Sequence, residues 1–183
     1  MKTFKALPVL LVIFAMTCAL ACTNKAKAPD VSDSIRQALD QAGLRDVKVS
    51  QDRDKNVVTL SGNVPSDNDK TQAESIARSI AGNQVVSNEI GVRPAGDEST
   101  AKKVDSDLDK GIDKNVDAAL VQHKLNQDVR YGVKNGVATL KGSVRSESQR
   151  ATVEKLVAQV PNVKQVVNEL EVKDQKATST ARN

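Results

Sequence analysis

Displaced by 80 residues against itself, the 183-residue chain places Val57–Val92 on Val137–Val172 without a gap. Eleven of these aligned positions are identical: Val57, Thr59, Leu60, Gly62, Val64, Ser66, Glu74, Val86, Asn88, Glu89 and Val92 with their partners. VVTLSGNVPS and VSNEIGV in the first stretch answer to VATLKGSVRS and VVNELEV in the second. After a one-residue shift upstream, Leu39 meets Leu120 and Leu44 meets Leu125. A unit of about 60 residues occurring twice excludes a long solenoid array, and it sets two small cores in place of one large one.

Within each copy the apolar period changes in a fixed order. Val31, Ile35, Ala38, Leu39 and Ala42 fall at helical spacing and stop at Gly43, and Ile112, Val116, Ala119 and Leu120 repeat the pattern. The period then becomes two, through Val47 and Val49 and on to Val58, Leu60, Gly62 and Val64, with counterparts from Val129 to Val144. Asn135-Gly136 is a strong hairpin signal between the strands, and Lys55-Asn56 is its weaker counterpart. Ser66 and Ser146 open a second helix, Gly82 and Pro161 end it, and a last strand carries Val86 to Val92 or Val166 to Val172. The order α-β-β-α-β, repeated, predicts an α+β fold of two tandem units. Each is expected to be a mixed three-stranded sheet with two helices on one face and a wet opposite face bearing Thr59, Ser61 and Asn63.

The first 21 residues read as a signal peptide: Lys2 and Lys5, an uncharged stretch from Ala6 to Ala21, then Ala19-Leu20-Ala21 before Cys22. Two processing outcomes fit the same bond. Ordinary cleavage leaves a soluble periplasmic protein; alternatively, small residues before a cysteine resemble the lipobox of bacterial lipoproteins, although Ala19 stands where leucine is usual. A lone Cys22 in an oxidising compartment favours lipidation, because the exported part holds no second cysteine to pair with it. Beyond this segment Tyr131 is the sole aromatic and His123 the sole histidine. That scarcity excludes a cysteine- or histidine-rich metal site, a stacking platform for bases and any confident acid-base pair. The expected profile has no catalytic residue, no metal, no cofactor and no nucleic acid partner.

The string Val-Val/Ala-Thr-Leu-x-Gly-x-Val-x-Ser, a helix, then Val-x-Asn-Glu-Ile/Leu-x-Val resembles the BON domain of bacterial envelope and osmotic-stress proteins. With the signal and Cys22, the chain is similar to dual-BON outer-membrane lipoproteins, which are non-enzymatic proteins of envelope integrity. The resemblance implies a lipid anchor at Cys22 and, with Thr23 following it, the outer membrane facing the periplasm. Implied partners are anionic phospholipid, met through the second BON copy, and envelope proteins. The membrane-contacting helix of that family corresponds to residues 111–124, which places Lys114, Lys124, Arg130 and Lys134 as headgroup contacts; no aromatic is there to seat at the interface. The alternative is a soluble periplasmic osmotic-stress protein with chaperone-like action.

The expected division is a signal peptide (1–21), a tether (22–30), BON domain 1 (31–92), a polar linker (93–111), BON domain 2 (112–172) and a disordered tail (173–183). Asn88 and Asn168 recur in phase with the buried valines and read as structural amides satisfying backbone near a sheet edge. Gly62 and Gly142, each inside a strand, read as a bulge or a close backbone approach beneath a helix. His123 reads as an end-of-helix cation, and Asp105, Asp107, Asp109 and Asp113 as solvated linker acids, without the glycine and glutamate spacing of a calcium loop. Residues 31–92 hold seven Lys/Arg against nine Asp/Glu and 112–172 hold nine against seven, so the balance passes from −2 to +2 and points to copy two as the side that meets anions.

Overall fold

A computed structural model describes residues 27–173. Copy one comprises α1 (Ser32–Gln41), β1 (Val47–Asp52), β2 (Val57–Val64), α2 (Asp67–Ala81), β3 (Val85–Asn88) and β4 (Gly91–Val92). Copy two repeats it as α3 (Glu98–Gln122), β5 (Val129–Lys134), β6 (Val137–Val144), α4 (Glu147–Ala158), β7 (Gln165–Asn168) and β8 (Glu171–Val172). β1 lies antiparallel to β2, and β2 carries β3 and β4 parallel along its other edge; copy two has the same arrangement. The fold is thus α+β with two mixed sheets, as the periodicity predicts, except that each last strand is broken in two.

The break has a local cause. Asn88 Oδ1 accepts the Ile90 N–H at 3.3 Å, and Asn168 Oδ1 accepts that of Leu170 at 3.1 Å. The side chain thereby takes the place of a backbone acceptor at the break, while the pairing with the central strand keeps the same register on both sides of it. Between the pieces Glu89 N–H still reaches Leu60 O, and Glu169 N–H reaches Leu140 O, so the strand stays attached to the sheet.

Ile35, Leu39, Val58, Leu60, Ala73, Ala77 and Ile90 form the sealed centre of copy one, and Val116, Leu120, Ala138, Leu140, Val153 and Val157 that of copy two. Each large side chain here contributes about 1.5–3 kcal/mol by leaving water. The helices that close these cores start at capped serines: Ser66 Oγ accepts Asp69 N–H and Ser146 Oγ accepts Gln149 N–H, each cap worth about 1 kcal/mol. Asn135 and Gly136 both take positive φ, 48° and 83°, as the tight turn between β5 and β6 requires.

Four expectations are corrected. Residues 98–111 are not a linker but the first half of the 25-residue helix α3. Past Gly96 the segment has no proline, and Ala101, Val104, Leu108 and Ile112 keep helical spacing through it. Residues 28–30 are not free tether: Ala28 is buried, its N–H donates to Arg53 O, Arg53 Nε donates to Ala28 O, and Gln51 Nε2 donates to Pro29 O. Gly62 and Gly142 make their close approach to backbone, not to a helix. At φ 108° and 118° a Cβ would stand 2.2 Å from Asp46 O and 2.3 Å from Asp128 O, so the close approach is to the chain entering the neighbouring strand. Finally, the sheet face opposite the helices is only partly wet, because the copies dock through it. The signal peptide, Cys22 and residues 174–183 of the tail lie outside the described residues.

Candidate functional site

The seam between the copies starts from three valines that stand out of phase with their own cores. Val57, Val137 and Val167 form a separate buried cluster on the outer sheet faces. Around it the hairpin tip of each copy reaches the last strand of the other. Lys55 pairs with Glu171, while Lys134 Nζ lies 3.0 Å from Glu89 Oε2 and Asn135 Nδ2 donates to Glu89 O at 2.7 Å. Gln165 completes the join: its Nε2 donates to Val86 O at 2.7 Å and its Oε1 accepts the Asn88 N–H at 3.1 Å. One side-chain amide thus pairs with the free edge of β3 as a peptide group of another strand would. Ser87 Oγ, buried at the same place, has no hydrogen-bond partner among the described residues, a cost of about 1–3 kcal/mol that the surrounding contacts offset.

The long helix holds this arrangement from the side. Asp109 Oδ2 accepts Asn135 N–H at 2.8 Å and its Oδ1 accepts Gly136 N–H at 2.9 Å, so one carboxylate spans the hairpin turn. Four residues earlier Asp105 pairs with Arg93, which follows β4 of copy one. The acids expected to be solvated therefore include two with structural partners.

The four expected headgroup contacts do not form one patch. Lys114 and Lys134 line an open groove of about 630 Å³ between copy one, α3 and the β5–β6 hairpin. Arg130 and Lys134 line a cleft of about 490 Å³ between the two sheets, with Thr59, Thr139 and Lys141. Lys124, past the end of α3 at φ 57°, lines neither. Lys134 also pairs with Glu89 across the seam, its side chain about half exposed. Lys114 stands on a helix with six Asp/Glu against four Lys/Arg, next to Asp113 and one turn from Asp117. Tyr131 senses the same field: its hydroxyl donates to Asp113 O, and burial, then the charges of Asp113 and Asp117, push its ionisation above the ordinary phenol value.

Asn88 and Asn168 are held inward. Asn88 Nδ2 donates to Lys70 O and Glu74 Oε2, and Asn168 Nδ2 donates likewise to Arg150 O and Glu154 Oε2. His123 caps the end of α3 with Nδ1 2.9 Å from Ala119 O. Among the described residues no group of three or more His, Cys, Asp or Glu is placed to hold a metal ion, and no helix is long and apolar enough to cross a membrane. Gln165, Asp109 and Glu89 were not distinguished as seam residues by sequence reasoning. One signal was available: Gln165 stands where copy one has Val85, a polar departure from the repeat inside a strand.

Among characterised proteins, the chain is 28% identical over 146 residues to osmotically-inducible protein Y of Escherichia coli (strain K12), an alignment covering 78% of this chain and 71% of that protein. Among solved structures, CdsD, a structural protein of the type III secretion system of Chlamydia trachomatis, aligns at 13% identity over 77% of this chain and 63% of its own length, with a TM-score of 0.33. A second structure, of the CdsD C-terminal domain, aligns at 12% identity over 78% and 67%, also with a TM-score of 0.33. At that score neither structure bears on the fold or function of this chain. The BON domain matches twice, over residues 28–94 and 108–174, the two αββαβ units described above, and the chain belongs to the BON-domain family.

Proposed function

We propose that this chain is an envelope protein of osmotic stress and barrier integrity, anchored through an acylated Cys22 to the outer membrane, whose second BON domain contacts anionic phospholipid. One observation carries the contact. Lys114, Lys124 and Arg130, on the domain of balance +2, have no carboxylate within ion-pair distance among the described residues. A Lys or Arg near an anionic surface contributes about 1 kcal/mol, so three give weak, salt-sensitive association. The acids of α3 oppose a flat approach of the whole helix and favour its C-terminal end, where Lys124 stands beyond the last acid, Asp117. Envelope proteins remain a second class of partner for the same anchored module.

Two measurements test this. In sedimentation of the mature full-length chain with vesicles, binding to anionic lipid at low salt, little binding to zwitterionic lipid, and loss of binding at 1 M salt, where the Debye length is about 3 Å, are expected. Changing Lys114 and Lys124 to Glu should abolish it, and equal binding by both forms sinks the lipid contact. Intact mass of the mature N-terminus and membrane fractionation of Cys22→Ala then test the anchor. A mature mass without acyl chains would favour the second reading, a soluble periplasmic osmotic-stress protein with chaperone-like action, for which the similarity to osmotically-inducible protein Y speaks.

A further inference from the structure

A smaller groove, about 250 Å³, crosses the seam on the side of α2. Copy one contributes Lys70, Glu74 and Arg78 from one face of α2; copy two contributes Lys164, from the turn before β7, and the amides of Asn135 and Gln165. The charges do not cancel locally. Glu74 is engaged on both oxygens, Oε1 by Arg78 at 2.7 Å and Oε2 by Asn88 Nδ2 at 2.9 Å. Lys70 Nζ donates to Ile90 O at 2.7 Å and has no carboxylate within ion-pair distance among the described residues, and neither has Lys164. Lys164 is exposed, but the start of its side chain is placed. Its N–H donates to Gly136 O, and its Cγ and Cδ pack where a Cβ on Gly136 would lie, at 3.0 Å.

Two lysines from different copies therefore line one groove, Lys70 with its ammonium on Ile90 O and Lys164 with its stem against Gly136. Burial, and next the charge of Lys164, lower the ionisation of Lys70, against the weaker opposing pull of Asp105, Asp67 and Glu74. The repeat does not duplicate the feature. The counterpart of Lys70 is Arg150, whose guanidinium faces Glu147 at 3.7 Å and Asn168 O at 3.3 Å. The seam thus brings to one groove two lysines that have no ion-pair partner among the described residues.

We propose that this groove is an oxyanion site, in which a phosphate group is held between Lys70 and Lys164 with the side-chain amides of Asn135 and Gln165 at its rim. Its volume lies below the about 300–1,000 Å³ of pockets for drug-sized ligands, and suits a single phosphate or the phosphate of a headgroup in place of a nucleotide. Because its two cations come from different copies, the anion binds only the docked arrangement and stabilises it by mass action. The inference rests on Lys70 and Lys164 and is independent of the headgroup contacts at Lys114 and Lys124.

Isothermal titration of the mature full-length chain with inorganic phosphate, at ionic strength held constant with chloride, tests the site. Saturable binding is expected for the wild type, weakened about tenfold or more in Lys164→Gln, as for loss of a charged hydrogen-bond partner, and restored in Lys164→Arg. Phosphate also stabilises proteins generally by exclusion from their surface, so in thermal unfolding only the difference between wild type and Lys164→Gln counts. Lys110→Gln, a substitution outside the groove, should leave binding unchanged. Phosphatidate vesicles distinguish the sources. Vesicle binding weakened by Lys164→Gln but not by Lys114→Glu with Lys124→Glu assigns the site to a headgroup; phosphate binding with vesicle binding indifferent to Lys164 assigns it to the free ion. If neither phosphate nor vesicle binding responds to Lys164→Gln, the proposal is wrong.

Discussion

Asn88 makes four hydrogen bonds through backbone and side chain: to Lys70 O, to Glu74, from Ile90 N–H and to Gln165. This network has a consequence for pH. Burial alone pushes the Glu74 carboxyl up, but hydrogen bonds from Asn88 and Arg78 and the charges of Arg78 and Lys70 outweigh it, and the group ionises below its ordinary 4.5. A carboxyl depressed in the folded state leaves the unfolded chain binding more protons in the window beneath 4.5. Its stabilisation is then present above the ordinary value and is lost as pH falls through the folded one. Glu74→Gln, which keeps an acceptor for Asn88, should flatten the stability profile between about pH 5 and about pH 3, read as urea midpoints across that range. An acid limb as steep in the variant as in the wild type contradicts the assignment. The recurrence of the asparagine in both copies is legible in the sequence, and so is its inward role, because it keeps phase with the buried valines. That its amide also organises a glutamate is not, since the two meet only when α2 packs on the last strand.

α3 illustrates what patterning misses at the scale of an element. Residues 98–111 are charged enough to read as linker, yet they continue the helix, because Arg93 and the β5–β6 turn supply partners for Asp105 and Asp109. Asp109 thus couples a helix to a hairpin 26 residues away. Removing it in Asp109→Ala leaves two turn amides without an acceptor and is expected to cost about 1–3 kcal/mol. Hydrogen exchange at Asn135 and Gly136 should quicken selectively, with amides at the centre of β6 unchanged. Unaltered exchange at the turn would show that the carboxylate does not hold it. Val104 and Leu108 continue the stripe of buried Ile112 and stay about half exposed, Leu108 lining a groove with Asn135 and Val163 of copy two.

For the whole molecule the deciding object is the seam. A unit of about 60 residues buries only about 60% of its unfolded surface, so each copy gains from the apolar contact of Val57, Val137 and Val167 and from the bridging amide of Gln165. The wild type should unfold in one cooperative transition. Gln165→Ala combined with Glu89→Ala, which removes the edge pairing and the partner of Lys134, should separate it into two in calorimetry, with a loss of about 2–4 kcal/mol from the less stable copy. A single transition of unchanged midpoint would mean that the copies do not support each other through these contacts. Element order, the two cores, the capped helices and the hairpin turn were determined by the sequence alone, because periodicity and turn chemistry report how each segment sits on its own neighbours. Only the tertiary structure decided that part of the polar sheet face is covered, that Lys134 pairs with Glu89, and that Lys70 and Lys164 line one groove. Those contacts join residues such as Lys55 and Glu171, 116 positions apart, and no local period records a partner at that distance.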